Sequence, residues 1–185
     1  MVMNQPPETG KSPIAKPGDG RSLGAALGDI VQVLTLTEGL NAFALKDLEW
    51  LVMPGLQTGQ FAIAHGDPRS RADIETAGGQ QVTIPVAIVL WALVAPEVDA
   101  RLQSLQDADP VAEVVRLAPD EWRSGQIPWI VVAAGTPDAL RATLTRLASV
   151  VFKGEPARML VNADGKLKVE LLRRPPPVAN DAERA

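Results

Sequence analysis

Few side chains in this sequence can move a proton near neutral pH. The 185 residues include one histidine, His65, and no cysteine. The chain therefore offers no thiol nucleophile, no disulfide, no cysteine-ligated metal and no multi-histidine metal site. His65 follows Gln60-Phe61-Ala62-Ile63-Ala64 and precedes Gly66-Asp67. Imidazole titrates in the neutral range and could serve as a general base, but that role needs an orienting partner. None is visible in the sequence, so His65 reads first as an exposed residue at a strand end. Asp120 and Glu121 could also accept a proton, although just before Trp122 they more simply cap a turn. Trp50, Trp91, Trp122 and Trp129 could stack on a ligand, yet each lies in or beside an apolar run and reads as a core anchor. Arg141, Arg146, Lys153 and Arg158 cluster around the last helix and read as a solvated face. No G-x-G-x-x-G, Walker A, H-E-x-x-H or G-x-S-x-G pattern occurs, and Gly78-Gly79 does not open a helix, so no phosphate cradle is expected.

Composition narrows the classes further. Apolar residues make up 46% of the chain and charged residues 22%, with a net charge of -4, which suits one globular domain. An acidic chain has no overall basic field to attract nucleic acid or an anionic membrane. The longest apolar run, residues 82–94, is too short to span a bilayer. The polar, Pro/Gly-rich start lacks the apolar stretch of a secretory signal, and a cytoplasmic location is expected. Residues 1–20 and 174–185 hold too little apolar surface to offset the entropy of ordering. The folded domain is accordingly expected over residues 21–173.

Several elements must position these side chains. Ser22 is a plausible N-cap for a helix carrying Leu23, Leu27, Ile30, Val31 and Leu34 at helical spacing. A second helix starts near Leu45, with Leu45, Leu48, Leu51 and Val52 on one stripe. A short strand over 60–64 and a loop over 66–80 lead to a central strand over 82–94, apolar on both faces, with Pro85 marking an irregular start. Pro96 opens a helix to about residue 106, and a further helical piece is expected over 111–117. A plain buried strand over 127–134 precedes a helix whose Leu140, Leu144, Leu147 and Val151 share one face. Asp164-Gly165 joins two final strands in a hairpin. Hairpins mixed with helices in this order predict an α+β layer fold with a central mixed, mostly antiparallel sheet flanked by helices.

Two stretches carry a more specific signal. The first is Leu45-Lys46-Asp47-Leu48-Glu49-Trp50-Leu51-Val52-Met53-Pro54, followed by Gly59-Gln60-Phe61. The second is Arg116-Leu117-Ala118-Pro119-Asp120-Glu121-Trp122-Arg123-Ser124-Gly125, followed by Trp129. With Pro85-Val86, Trp91-Ala92 and Val151-Phe152-Lys153-Gly154 in between and after, the chain resembles the RTX toxin-activating lysine acyltransferases (the hemolysin-activating protein C type) over nearly its whole folded unit.

The resemblance implies a fold similar to the GNAT acetyltransferases, a thioester donor on acyl carrier protein, a lysine-bearing acceptor protein, a homodimer and no bound cofactor. The family reaction acylates a lysine ε-amine, whose reference pKa of about 10.4 leaves about one amine in a few thousand unprotonated at neutral pH, so a base matters. In that family the base is a histidine seven residues before the Asp of the D-L-x-W stretch, and its orienter an aspartate three residues after the tryptophan of the later strand. Here those positions are Leu40 and Val132. Neither can take, give or orient a proton. The expectation is a catalytically degenerate binding or regulatory module. The alternative is an active acyltransferase with a relocated base, for which His65, Glu121 and Asp120 are the candidates.

Overall fold

The computed structural model describes residues 22–66, 83–109 and 116–173. The segments 1–20 and 174–185, most of the expected loop 66–80 and most of the expected helical piece 111–117 lie outside the described residues. Within them the chain is α+β, with a five-stranded mixed sheet flanked by helices and compatible with a GNAT-like fold.

Helix α1 (Leu23–Leu36) begins where Ser22 Oγ accepts the Ala25 N–H at 3.2 Å, satisfying one of the donors a helix start leaves over. Ala26, Ile30, Val33 and Leu34 are buried, whereas Leu23 is exposed. The second helical region is broken. A 3-10 turn (Leu45–Asp47) leads to α2 (Leu48–Leu51) and α3 (Met53–Thr58), with Pro54 in the first turn of α3. The break rotates Leu45 out of the expected stripe, leaving it 82% exposed.

Strands β1 (Phe61–Gly66), β2 (Ile84–Val94) and β3 (Ile127–Gly135) pair antiparallel, as do β4 (Ala157–Ala163) and β5 (Lys166–Leu172). β3 and β4 run parallel. Strands occur in the sheet in chain order. Asp164 and Gly165, both at positive φ, close the last hairpin, the backbone that a two-residue turn of matching twist requires. Pro85 does mark an irregularity, since the β1–β2 register skips Val86.

The central strand supplies two cores by simple alternation. Ile88, Leu90, Ala92 and Val94 face α1, α3 and α4 (Pro96–Gln103), while Val89 and Trp91 face α5 (Pro137–Arg146). Trp122 anchors the first core from a 3-10 turn (Pro119–Arg123) and is fully buried. Gly125 passes so close to the end of β2 that a Cβ would overlap the Val94 carbonyl and lie 2.6 Å from Ala95 Cα. The final helix departs from expectation. After α5 it widens into a π turn (Leu147–Val151), and one extra residue per turn shifts the apolar register. Phe152 is buried where a continuous α-helix would have placed Val151, and Val151 is 43% exposed.

Candidate functional site

β3 and β4 stay together for only two residue pairs, Trp129 with Arg158 and Ile130 with Met159. Beyond them the strands part. From Val131 onward the β4-facing edge of β3 has no ladder partner among the described residues. A half-open apolar cavity of about 560 Å³ lies at the gap, lined by Leu40, Phe43, Trp50 and Leu117 from the preceding segments and by Leu160 and Leu167 from the last hairpin. This volume lies within the range of small-molecule sites.

The backbone of β3 explains what reaches the cavity. Its register with β2 slips between Leu90 and Trp91, which pair with Val132 and Ile130, and so leaves Val131 without an opposite residue. This is a β-bulge, which breaks the two-residue alternation and re-aims the side chains that follow. Val131 and Val132 consequently both pack on the first core and both line the cavity. The strand expected to be plain is bulged at Val131, next to the position where the base's orienter was sought.

Leu40 lies in the turn after α1 and is half-buried, and Val132 is 5% exposed. The structure brings both to the same cavity wall system. No ionisable side chain lines the cavity among the described residues, and Asn162 with the indoles of Trp50 and Trp129 supplies its side-chain polarity. Both indole N–H groups are already used. Trp129 Nε1 donates to Asp99 Oδ1 at 2.7 Å, and Trp50 Nε1 donates to Asp47 Oδ1 at 3.2 Å. Asp99 is buried and also receives Gln103 Nε2 at 2.7 Å and Arg158 Nε at 3.3 Å, so its charge is matched within the protein. The Trp50 indole, followed by the Ala44 backbone N–H, holds the Asp47 carboxyl below its ordinary value, with Lys46 and Arg116 adding to the effect.

The other sequence candidates lie apart from the cavity lining. His65 is not the exposed strand-end residue its position implied. It is 8% exposed, and its Nε2 lies 2.9 Å from Asp29 Oδ2 on α1. That partner is remote in sequence, and the one sign of it was an aspartate beside the inward Ala26 and Ile30. Glu121 is committed to structure. Both its oxygens meet the Arg101 guanidinium, at 2.7 and 2.6 Å, and Oε2 also accepts the Ala118 N–H at 2.8 Å, capping the turn as expected. Asp120 is exposed on the same turn. Trp91, Trp122 and Trp129 are core residues, and Trp50 is half-buried at the cavity.

Chemically, such a cavity can exclude water and hold an alkyl chain, while its unpaired strand edge offers backbone donors and acceptors to a polar portion of the same ligand. Among the described residues its lining has no group to move a proton. Among the described residues no three of His, Asp and Glu gather where they could hold a metal ion, and no helix is long and apolar enough to cross a membrane. No protein-family model matches this chain, and no curated protein matches it.

Proposed function

We propose that this chain is a catalytically degenerate relative of the toxin-activating lysine acyltransferases, a binding module that holds an acyl chain without transferring it. One observation carries the reading. Leu40 and Val132, assigned by resemblance to the base and its orienter, come from separate segments and line a common cavity. Two positions that act together in catalysis must converge, and these converge with apolar side chains. Among the described lining residues a lysine ammonium arriving there meets no group that could take its proton, so nucleophilic attack on a thioester is not assisted. The parted strands β3 and β4 suit a donor whose acyl chain fills the cavity and whose amide-bearing arm runs along the open edge of β3. Acyl carrier protein is the corresponding partner, or else a protein already acylated on lysine, and the module acts as a homodimer.

The test is to incubate the protein with acylated carrier protein and a lysine-bearing acceptor, following the acceptor by mass spectrometry and carrier binding by co-elution. Retention of the acylated carrier with acceptor mass unchanged is expected. Acylation above the uncatalysed background overturns the reading.

The close His65–Asp29 pair favours one second reading, an active enzyme with a relocated base oriented by Asp29. Acyl transfer that disappears in His65→Ala and survives in Glu121→Gln and Asp120→Asn would establish it.

A further inference from the structure

We infer that Arg116 is the anion receptor at the mouth of this cavity, and that the ligand it selects is a long-chain carboxylate rather than a neutral ester or a phosphate. The inference rests on the reading of the cavity as an acyl-chain site, and within that reading it names the free acid, not the carrier-bound thioester, as the ligand that Arg116 holds. Arg116 is exposed, and its guanidinium carbon lies 4.7 Å from the centroid of the Trp50 ring. Trp50 lines the cavity, and so does Leu117, the next residue along the chain. The cation is therefore held at the rim by an indole that is itself part of the wall. Among the described residues no carboxylate lies within ion-pair distance of Arg116, in contrast to Arg101, which is bound by Glu121. Stacking uses the face of a guanidinium and leaves its N–H edge open, the edge that pairs with a carboxylate through two parallel hydrogen bonds.

Charge decides between acidic head groups. Asp47 lies near enough to feel the field of Arg116, and its two oxygens are occupied by the Trp50 indole and the Ala44 N–H. A single guanidinium beside a fixed carboxylate suits a monoanion. It is poorly matched to a dianionic phosphate, which would be repelled by Asp47 and would gain one cation only.

The experiment titrates the full chain with dodecanoate, methyl dodecanoate and dodecyl phosphate, using the emission of the cavity tryptophans and calorimetry. Dodecanoate should bind about tenfold more tightly than the methyl ester, the scale of one charge-assisted bidentate contact at an accessible site. Arg116→Gln should remove that preference and leave ester binding unchanged, whereas Arg116→Lys should keep part of it. Equal affinities for acid and ester in the wild type, or a preference that survives Arg116→Gln, overturn the assignment while leaving the cavity as an acyl-chain site. Loss of ester binding in Arg116→Gln shows that the arginine only supports Trp50, and also overturns it. Tighter binding of dodecyl phosphate overturns the choice of carboxylate. If none of the three compounds binds, the acyl-chain reading of the cavity fails, and the role of Arg116 fails with it.

Discussion

Val131 and Val132 turn to the same face of β3, although neighbours on a regular strand point to opposite faces. The bulge between them brings position 132 into the cavity at all. An unbroken strand running from Trp129 would have aimed that side chain at α5, away from Leu40.

Placing a carboxylate there should be costly. Val132→Asp puts an acid on an apolar wall at a site that is 5% exposed. It should lower stability by about 3 kcal/mol at neutral pH, the scale of a buried unpaired charge. Desolvation raises the folded-state pKa of this carboxyl above its unfolded value of about 3.9, so the cost is smallest below about pH 4, where only the lost apolar packing remains, and grows as pH rises towards the folded pKa. Denaturant unfolding from acid to neutral pH measures it. A deficit independent of pH would mean that the carboxylate finds water or a cation.

The π turn after α5 makes a pair of neighbouring residues unequal. Phe152→Ala should cost about 3–4 kcal/mol, because it empties a buried site where Phe152 packs edge-on to Trp91, with ring centroids 5.9 Å apart. Val151→Ala should change stability by less than about 0.5 kcal/mol. Equilibrium unfolding of both variants checks the register, since a continuous α-helix would reverse the ranking.

Asp47 gives a pH-dependent signature of opposite sense. Its folded-state pKa is depressed, chiefly by the Trp50 indole, so its contribution is present above the unfolded carboxyl pKa and is lost as pH falls through the folded one. Asp47→Asn should therefore melt below the wild type near neutral pH, and the two melting temperatures should converge in strong acid. A constant gap across that range would show that the charge contributes nothing.

Much of the scaffold was legible because it follows short-range rules. Ser22 announced the first helix, Asp164-Gly165 the last hairpin, Pro85 an irregular strand, and the nearly unbroken apolar run over 82–94 a strand buried on both faces. The features that shape the site do not obey such rules. A bulge at Val131 depends on how two strands accommodate each other, and nothing in Ile130-Val131-Val132-Ala133 distinguishes a bulged strand from a regular one. The π turn is equally silent, which is why Val151 was placed inward and Phe152 was not. Asp29 beside His65, and Asp99 between Trp129 and Arg158, are contacts made across the fold. Leu40 and Val132 were legible as positions through resemblance alone, and that both line one cavity belongs to the fold.

The identity of chain order and sheet order has a consequence for how the molecule comes into being. As the polypeptide leaves the ribosome, each strand emerges to find its neighbour already made, and no strand must be inserted between two others. The antiparallel trio completes a half-open platform before the last hairpin has been translated. Residues Leu160 and Leu167, which line the cavity from the last hairpin, arrive last. The cavity thus gains its last wall only when the β4–β5 hairpin docks on β3 through the pairs Trp129–Arg158 and Ile130–Met159.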